Sequence, residues 1–140
     1  MINNIHISEI MTKEVITVDS TAELKAIHHI IMNQNIRHIP VMEKNKIIGI
    51  ISKTDYLRLT FGTIFEDAEQ TNEAIMEIFE LKDLMVRNPY TVSSDTTIKV
   101  VMEIFISHEF HAVPVVDKGK LVGILSVSDV LRYFSEKLKT

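Results

Sequence analysis

The sequence predicts an α/β (α+β) protein made of two tandem, pseudo-symmetric β-α-β-β-α repeats, and three observations carry that prediction. Displacing the chain on itself by 74 residues aligns positions 10–58 with 84–132 without a gap, and 16 of the 49 pairs are identical. Within each copy the apolar spacing changes between strand-like and helix-like periods in the same order. The identities also fall at turns and element boundaries, among them Met11/Met85, Thr17/Thr91, Pro40/Pro114, Gly49/Gly123, Ser52/Ser126, Asp55/Asp129 and Arg58/Arg132.

Each copy opens with a short β-prone piece, residues 15–18 in the first and 90–92 in the second. A helix follows. In the first copy Ser20-x-x-Glu23 reads as a capping box, and Leu24, Ile27, Ile30 and Ile31 share one helical face. In the second copy Ser94 or Asp95 is the expected cap, Thr97 replaces the glutamate, and Ile98, Val101, Ile104 and Phe105 repeat the face. Residues 38–42 and 47–52, joined by Glu43-Lys44-Asn45-Lys46, fit a hairpin. A second helix starts after Ser52 and carries Tyr56, Leu57 and Leu59. These boundaries divide the chain into a first repeat (1–62), an acidic helical connector (63–83) and a second repeat (84–140). A unit of about 50 residues buries too little surface to be comfortably stable alone, so one composite core is expected. In the connector Ile75, Met76, Ile78 and Phe79 recur at helical spacing, with an acidic face expected toward water.

Composition narrows the function classes. With 46% hydrophobic and 24% charged residues, the chain has material for a packed core. No apolar run approaches the ~18 residues of a membrane span. The start, MINNIHISEIM, lacks a basic region and a continuous apolar stretch, so a cytoplasmic location without a signal peptide is expected. Zero cysteine excludes disulfides and thiol catalysis. A net charge of −4 argues against a nucleic-acid partner. Between residues 59 and 83, seven acids oppose Lys82 alone, a balance of −6, so the remainder sums to +2 and does not repel anions.

No P-loop or dinucleotide fingerprint is present. What recurs is Gly-h-h-Ser-x-x-Asp, as GIISKTD and GILSVSD, placed where a strand ends and a helix begins. Helix-terminal N–H groups and the helix dipole suit a phosphate there, a serine hydroxyl adds a donor, and an aspartate one turn on can accept from both ribose hydroxyls. A nucleoside phosphate satisfies all of these. The same Ser-x-x-Asp is also an N-capped helix with no ligand, and a close strand–helix approach accounts for the glycine. Arg37-His38 and His111 stand just before each Pro-Val pair, and both residue types recognise phosphate. His28 and His29 are adjacent rather than spaced by three or four, so no metal site is expected. Asp55 and Asp129 have no nucleophile with an orienting base beside them, so no enzymatic activity is expected. Lys44, Lys46, Lys118 and Lys120 lie on the hairpin turns as weak attractors of anions.

The duplicated pattern, h-P-V-h-(D/E) followed by G-h-h-S-x-x-D, with SEIMTKEVITV and KDLMVRNPYTV ahead of the copies, resembles the cystathionine-β-synthase (CBS) domain pair, or Bateman module, over nearly the whole chain. The resemblance implies a stand-alone regulatory module whose repeats pack through their sheets, with two pseudo-symmetric clefts between the copies. Such clefts take AMP, ADP, ATP or S-adenosylmethionine, with no cofactor required. It further implies that Asp55 and Asp129 hold ribose hydroxyls, and that Ser52, Ser126, Thr54 and Ser128 meet phosphate, joined by Arg37, His38 and His111. Ile16, Thr17, Tyr90 and Thr91, with Ile39, Pro40, Val113 and Pro114, would enclose the base. Family members are typically homodimers joined through helices, which makes Tyr56, Leu57, Val130, Leu131 and Phe134 seam candidates and leaves a regulated protein partner to be identified. Ala112 stands where the first copy has His38, so one dominant site is expected. The rival reading is a ligand-free structural or adaptor dimer in which both aspartates merely cap helices.

Overall fold

Two hairpins organise the chain, and each turns on a pair of residues with positive φ. In the computed structural model, which describes residues 4–60 and 79–139, Lys44 (φ 48°) and Asn45 (φ 64°) reverse the first hairpin. Lys118 (φ 50°) and Gly119 (φ 79°) reverse the second. Two consecutive left-handed residues make the turn whose twist matches that of the flanking strands. The strands so joined are β2 (His38–Glu43) with β3 (Lys46–Ser52), and β5 (Ala112–Asp117) with β6 (Lys120–Ser126). Their registers are offset by one constant, His38 facing Ser52 as Ala112 faces Ser126, and each is broken once, at Val41/Met42 and Val115/Val116.

The chain divides into two compact units that do not coincide with the sequence repeats. One is Ile16–Asn88, and the other combines Met1–Val15 with Pro89–Thr140. In the first-repeat unit, β1 (Val18–Asp19) runs parallel to β2, and β4 (Val86–Arg87) runs antiparallel to β3, giving the order β1-β2-β3-β4. In the second-repeat unit single bridges occupy the same places, Val92 beside Val115 in parallel and Thr12 beside Ile124 antiparallel. The segment ahead of each repeat therefore completes the sheet of the other repeat. This corrects the explanation of the glycines. A Cβ on Gly49 would lie 2.6 Å from Met85 Sδ, and one on Gly123 would lie 2.6 Å from Met11 Sδ, so the close neighbour is the exchanged lead-in segment and not a helix.

The helices form where the periodicity places them, but their caps differ from expectation. Helix α1 (Leu24–Asn33) begins after Glu23, so Ser20 is not its cap. Ser20 instead donates to Glu43 Oε1 (3.3 Å), while Asp19 accepts from the Thr21 amide (3.0 Å) and hydroxyl. Helix α4 (Ile98–Ser107) is capped by Thr97, whose hydroxyl accepts from Val100 N at 3.3 Å, and not by Ser94 or Asp95. Ser94 donates through N and Oγ to Asp117, the counterpart of the Ser20–Glu43 tie. Both serines anchor the turn before the helix to the hairpin, which is work a cap cannot do from the same position. The hairpins run on into α2 (Lys53–Thr60) and α5 (Val127–Leu138), and a single-turn helix, α3 (Leu81–Leu84), precedes β4.

Among the described residues, burial forms two clusters, one in each unit, where one composite core was expected. The first gathers Val18, Ile27, Ile31, Ile39, Val41, Ile51, Tyr56 and Leu84, and the second Ile7, Val92, Val101, Val113, Val115, Leu125 and Val130. Ile7 and Leu84 come from the exchanged segments, so each unit closes its core with residues from outside its own repeat. Most of the acidic connector lies outside the described residues; within them Phe79 packs on the first cluster and Lys82 pairs with Glu80 at 3.1 Å.

Candidate functional site

In both units one backbone hydrogen bond draws the chemistry together. Lys53 N donates to the Arg37 carbonyl at 2.7 Å, and Val127 N donates to the His111 carbonyl at 2.9 Å. The residues at the start of β2 and β5 are thereby held against the first residue of α2 and α5. With His38 facing Ser52 across the hairpin, Arg37, His38, Ser52, Thr54 and Asp55 share one corner of the first-repeat unit. His111, Ser126, Ser128 and Asp129 share the equivalent corner of the second. Thr17 and Thr91 immediately precede the residues that run parallel to β2 and β5, with Val92 N bonded to the Pro114 carbonyl at 3.1 Å.

The junctions are capped helices. Ser52 Oγ accepts from Asp55 N at 3.0 Å, and Ser126 Oγ accepts from Asp129 N at 3.1 Å. Ser126 N returns a bond to Asp129 Oδ2 at 2.9 Å, which completes a capping box. The expectation of several unpaired helix-terminal amides is corrected here: those of Lys53 and Asp55 are taken, as are those of Val127 and Asp129. Capping uses a serine lone pair and leaves the hydroxyl proton, so each serine can still donate to an anion.

The two aspartates are not in the same state. Arg58 pairs with Asp55 Oδ1 at 3.0 Å and Arg132 with Asp129 Oδ1 at 2.9 Å, each from one turn further along the helix. The Asp129 side chain is 10% exposed with both oxygens engaged, whereas that of Asp55 is 37% exposed and its Oδ2 has no partner among the described residues.

Several expected wall residues face inward. Ile39 and Val113 belong to the two cores, and Pro40 and Pro114 are buried with them, so the side chains of Ile39 and Val113 are spent on packing and their backbone is what remains for a ligand. Ile16 and Tyr90 are 41% and 47% exposed, and Thr17 and Thr91 are exposed. Among the seam candidates, Tyr56 and Val130 are core residues, Leu57 and Phe134 pack partly on the cores, and Leu131 is exposed. Tyr56 is buried because its ring fills the first core while its hydroxyl reaches His28 Nδ1. Burial pushes the Tyr56 phenol up to about 12 and holds the His28 imidazole below its ordinary range. The second repeat has Met102 and Val130 at these two places, two apolar residues of its core in lieu of a polar pair.

Residues that sequence reasoning passed over also adjoin the junctions. Lys53, half-buried at the first, is replaced by Val127 at the second, and comparing the copies for charge differences would have found it. Arg58 and Arg132 were visible as identities, but their i,i+3 pairing with the aspartates was not drawn. Beside His111, Tyr90, His108 and Phe110 form a ring cluster with centroids 4.9–5.8 Å apart, where the first repeat has Ile16, Gln34 and Ile36.

The CBS domain profile matches this chain twice, at residues 7–62 and 81–136. Uncharacterized protein MJ0188 of Methanocaldococcus jannaschii is 33% identical over 135 residues, 96% of this chain and 46% of that one. Protein MJ1225 of the same organism is 27% identical over 131 residues, 92% of this chain and 47% of that one. The chain thus spans about half the length of these curated relatives. The crystal structure of MJ1225 superposes with a TM-score of 0.74 over 94% of this chain and 48% of its own. The CBS domain pair of protein MJ0100, solved with 5′-methylthioadenosine and S-adenosyl-L-methionine, superposes with a TM-score of 0.74 at 25% identity, covering 94% of this chain and 97% of its own. No helix among the described residues is long and apolar enough to cross a membrane. With two profile matches, a duplicated fold and paired strand-to-helix junctions, the chain belongs to the CBS domain family and carries two copies of the domain.

Proposed function

We propose that this chain is a non-catalytic regulatory module that binds an adenosine-containing ligand, AMP, ADP or ATP foremost and S-adenosylmethionine as the alternative, at its strand-to-helix junctions. The observation that carries this reading is the bond from Lys53 N to the Arg37 carbonyl, which brings an arginine, a serine and an aspartate with an open oxygen to one corner of the fold. Arginine and the Ser52 and Thr54 hydroxyls meet phosphate, while Asp55 accepts from ribose. MJ0100, whose complex contains two adenosyl compounds, supports the ligand class. Regulation requires the ligand to prefer one arrangement of the helices, which a protein partner then reads. The exposed Leu131 and Leu138 of α5 are the surface we assign to a homodimer.

The test is thermal unfolding with each of the four compounds, repeated on Asp55→Ala and Asp129→Ala. A ligand at ~100 times its Kd adds about 2.7 kcal/mol, a readily measured shift. Stabilisation that Asp55→Ala abolishes supports the proposal. The adaptor reading draws on the completed Ser126–Asp129 capping box, which needs no ligand to explain it. An unmoved melting temperature with every compound would favour that alternative.

A further inference from the structure

The two junctions differ in charge and in aromatic content, and we infer that they take different ligands: the first repeat a phosphorylated adenosine nucleotide, the second an adenosyl compound that carries no phosphate. This rests on the adenosyl-binding reading above and divides it between the repeats. At the first junction Arg37 is exposed and Lys53 half-buried, and neither forms an ion pair among the described residues. Their backbones are joined by a 2.7 Å hydrogen bond, so two cationic side chains start from paired backbone positions, with Ser52 and Thr54 as the chain neighbours of Lys53. Two unneutralised cations offset the cost of desolvating a phosphate, and a neutral ligand would leave them uncompensated.

At the second junction both places have changed. Val127 stands for Lys53, His111 for Arg37, and Ala112 for His38, while Arg132 is committed to Asp129. Little positive charge is left for a phosphate. In its place Tyr90, 47% exposed, leans on His108 and Phe110, with ring centroids 5.2 and 5.8 Å away, directly before Thr91 and His111. His108 is fixed by Nδ1 against the Ile104 carbonyl at 2.8 Å, and its ring stacks on Phe110 at 4.9 Å. A braced aromatic surface, which Phe110 joins to the junction through the bond from Val127 N to the His111 carbonyl, suits a purine held by stacking. A sulfonium cation is also tolerated there, since Arg132 is already paired with Asp129 and an exposed acid, Glu109, directly precedes Phe110 in the chain.

The experiment is calorimetric titration of the full chain at pH 8 with ATP, with 5′-methylthioadenosine, and with each in the presence of saturating amounts of the other. The variants exchange residues between the repeats, so each places a side chain the fold already holds at the matching position: Arg37→His with Lys53→Val, and Tyr90→Ile. We expect the two compounds to bind together, one of each per chain. The first variant should weaken ATP at least tenfold and leave 5′-methylthioadenosine within twofold. Tyr90→Ile should do the reverse by about tenfold, the range of one base–aromatic stack. Competition between the compounds for one site, or equal losses for both in either variant, overturns the division while leaving adenosyl binding intact. Binding of neither compound by the unaltered chain overturns both. Circular dichroism on each variant confirms that a loss of binding is not a loss of fold, and Arg37→Ala provides a second variant should the double exchange unfold.

Discussion

Gly123→Ala tests whether the exchanged lead-in segment holds the second-repeat unit together. The new Cβ would stand 2.6 Å from Met11 Sδ and 3.0 Å from the Thr12 carbonyl oxygen. The methionine can swing away. The carbonyl cannot, because Thr12 and Ile124 exchange backbone bonds of 2.9 and 3.0 Å, and moving the oxygen breaks the pair. Overpacking of this kind costs about 1–3 kcal/mol. At roughly 4 °C per kcal/mol for a chain of this size, the melting temperature should fall by about 4–12 °C. Met11→Ala alone is destabilising through lost packing, yet in the Gly123→Ala background it removes the nearest clash. The double-mutant cycle should therefore show a favourable coupling of at least about 0.5 kcal/mol, with rescue incomplete because the carbonyl remains. Urea unfolding followed by circular dichroism supplies all four free energies. A melting temperature for Gly123→Ala within 2 °C of the parent (roughly half a kcal/mol), or strictly additive effects, would refute the crossed arrangement.

Three further outcomes follow from the same contacts. Gly49→Ala should cost about the same 1–3 kcal/mol in the same urea assay, since its Cβ would meet Met85 Sδ at 2.6 Å and the Val86 oxygen, held in the β3–β4 pairing, at 3.1 Å. Ser126→Ala should lower stability by about 1 kcal/mol and Ser52→Ala by no more than that, because Ser126 belongs to a two-way capping box. The His28–Tyr56 pair predicts stability that declines on both sides of neutrality. Below the unfolded imidazole pKa of about 6.5 the unfolded chain takes up a proton that folded His28 resists, so stability drops as pH falls until the folded imidazole titrates. Between about 10 and 12 the unfolded chain releases the phenolic proton that folded Tyr56 retains, so stability drops as pH rises. The double exchange His28→Met with Tyr56→Val, the pair the second repeat uses, should flatten both limbs of the stability–pH curve measured by urea titration.

Much of the fold was legible because local chemistry and repetition reinforce each other. The apolar faces of α1 and α4 bury Ile27, Ile31, Ile98 and Val101 as their spacing requires. The hairpins form around Lys44-Asn45 and Lys118-Gly119. The caps were misread where a residue had two possible partners. Ser20 and Ser94 each stand at a capping distance in sequence, but a carboxylate 23 residues away, Glu43 or Asp117, takes the hydroxyl. Local pattern carries no information about such a competitor. Of the site, the Ser-x-x-Asp spacing and the cations before Pro-Val could be read directly, whereas the inward turn of Ile39 and Val113 and the engagement of both Asp129 oxygens could not.

By itself the sequence determined the duplication, the element types and the residue kinds available at each junction, since periodicity, turn chemistry and one constant offset depend only on near neighbours along the chain. Only the tertiary structure decided that each lead-in segment completes the sheet of the other repeat, and that the buried side chains among the described residues gather in two clusters. The physical reason is that equivalent segments present the same methionine and backbone edge to equivalent glycines, Met11 over Gly123 and Met85 over Gly49. Near-identical chemistry cannot specify which copy pairs with which, so chain connectivity and packing in three dimensions make that choice.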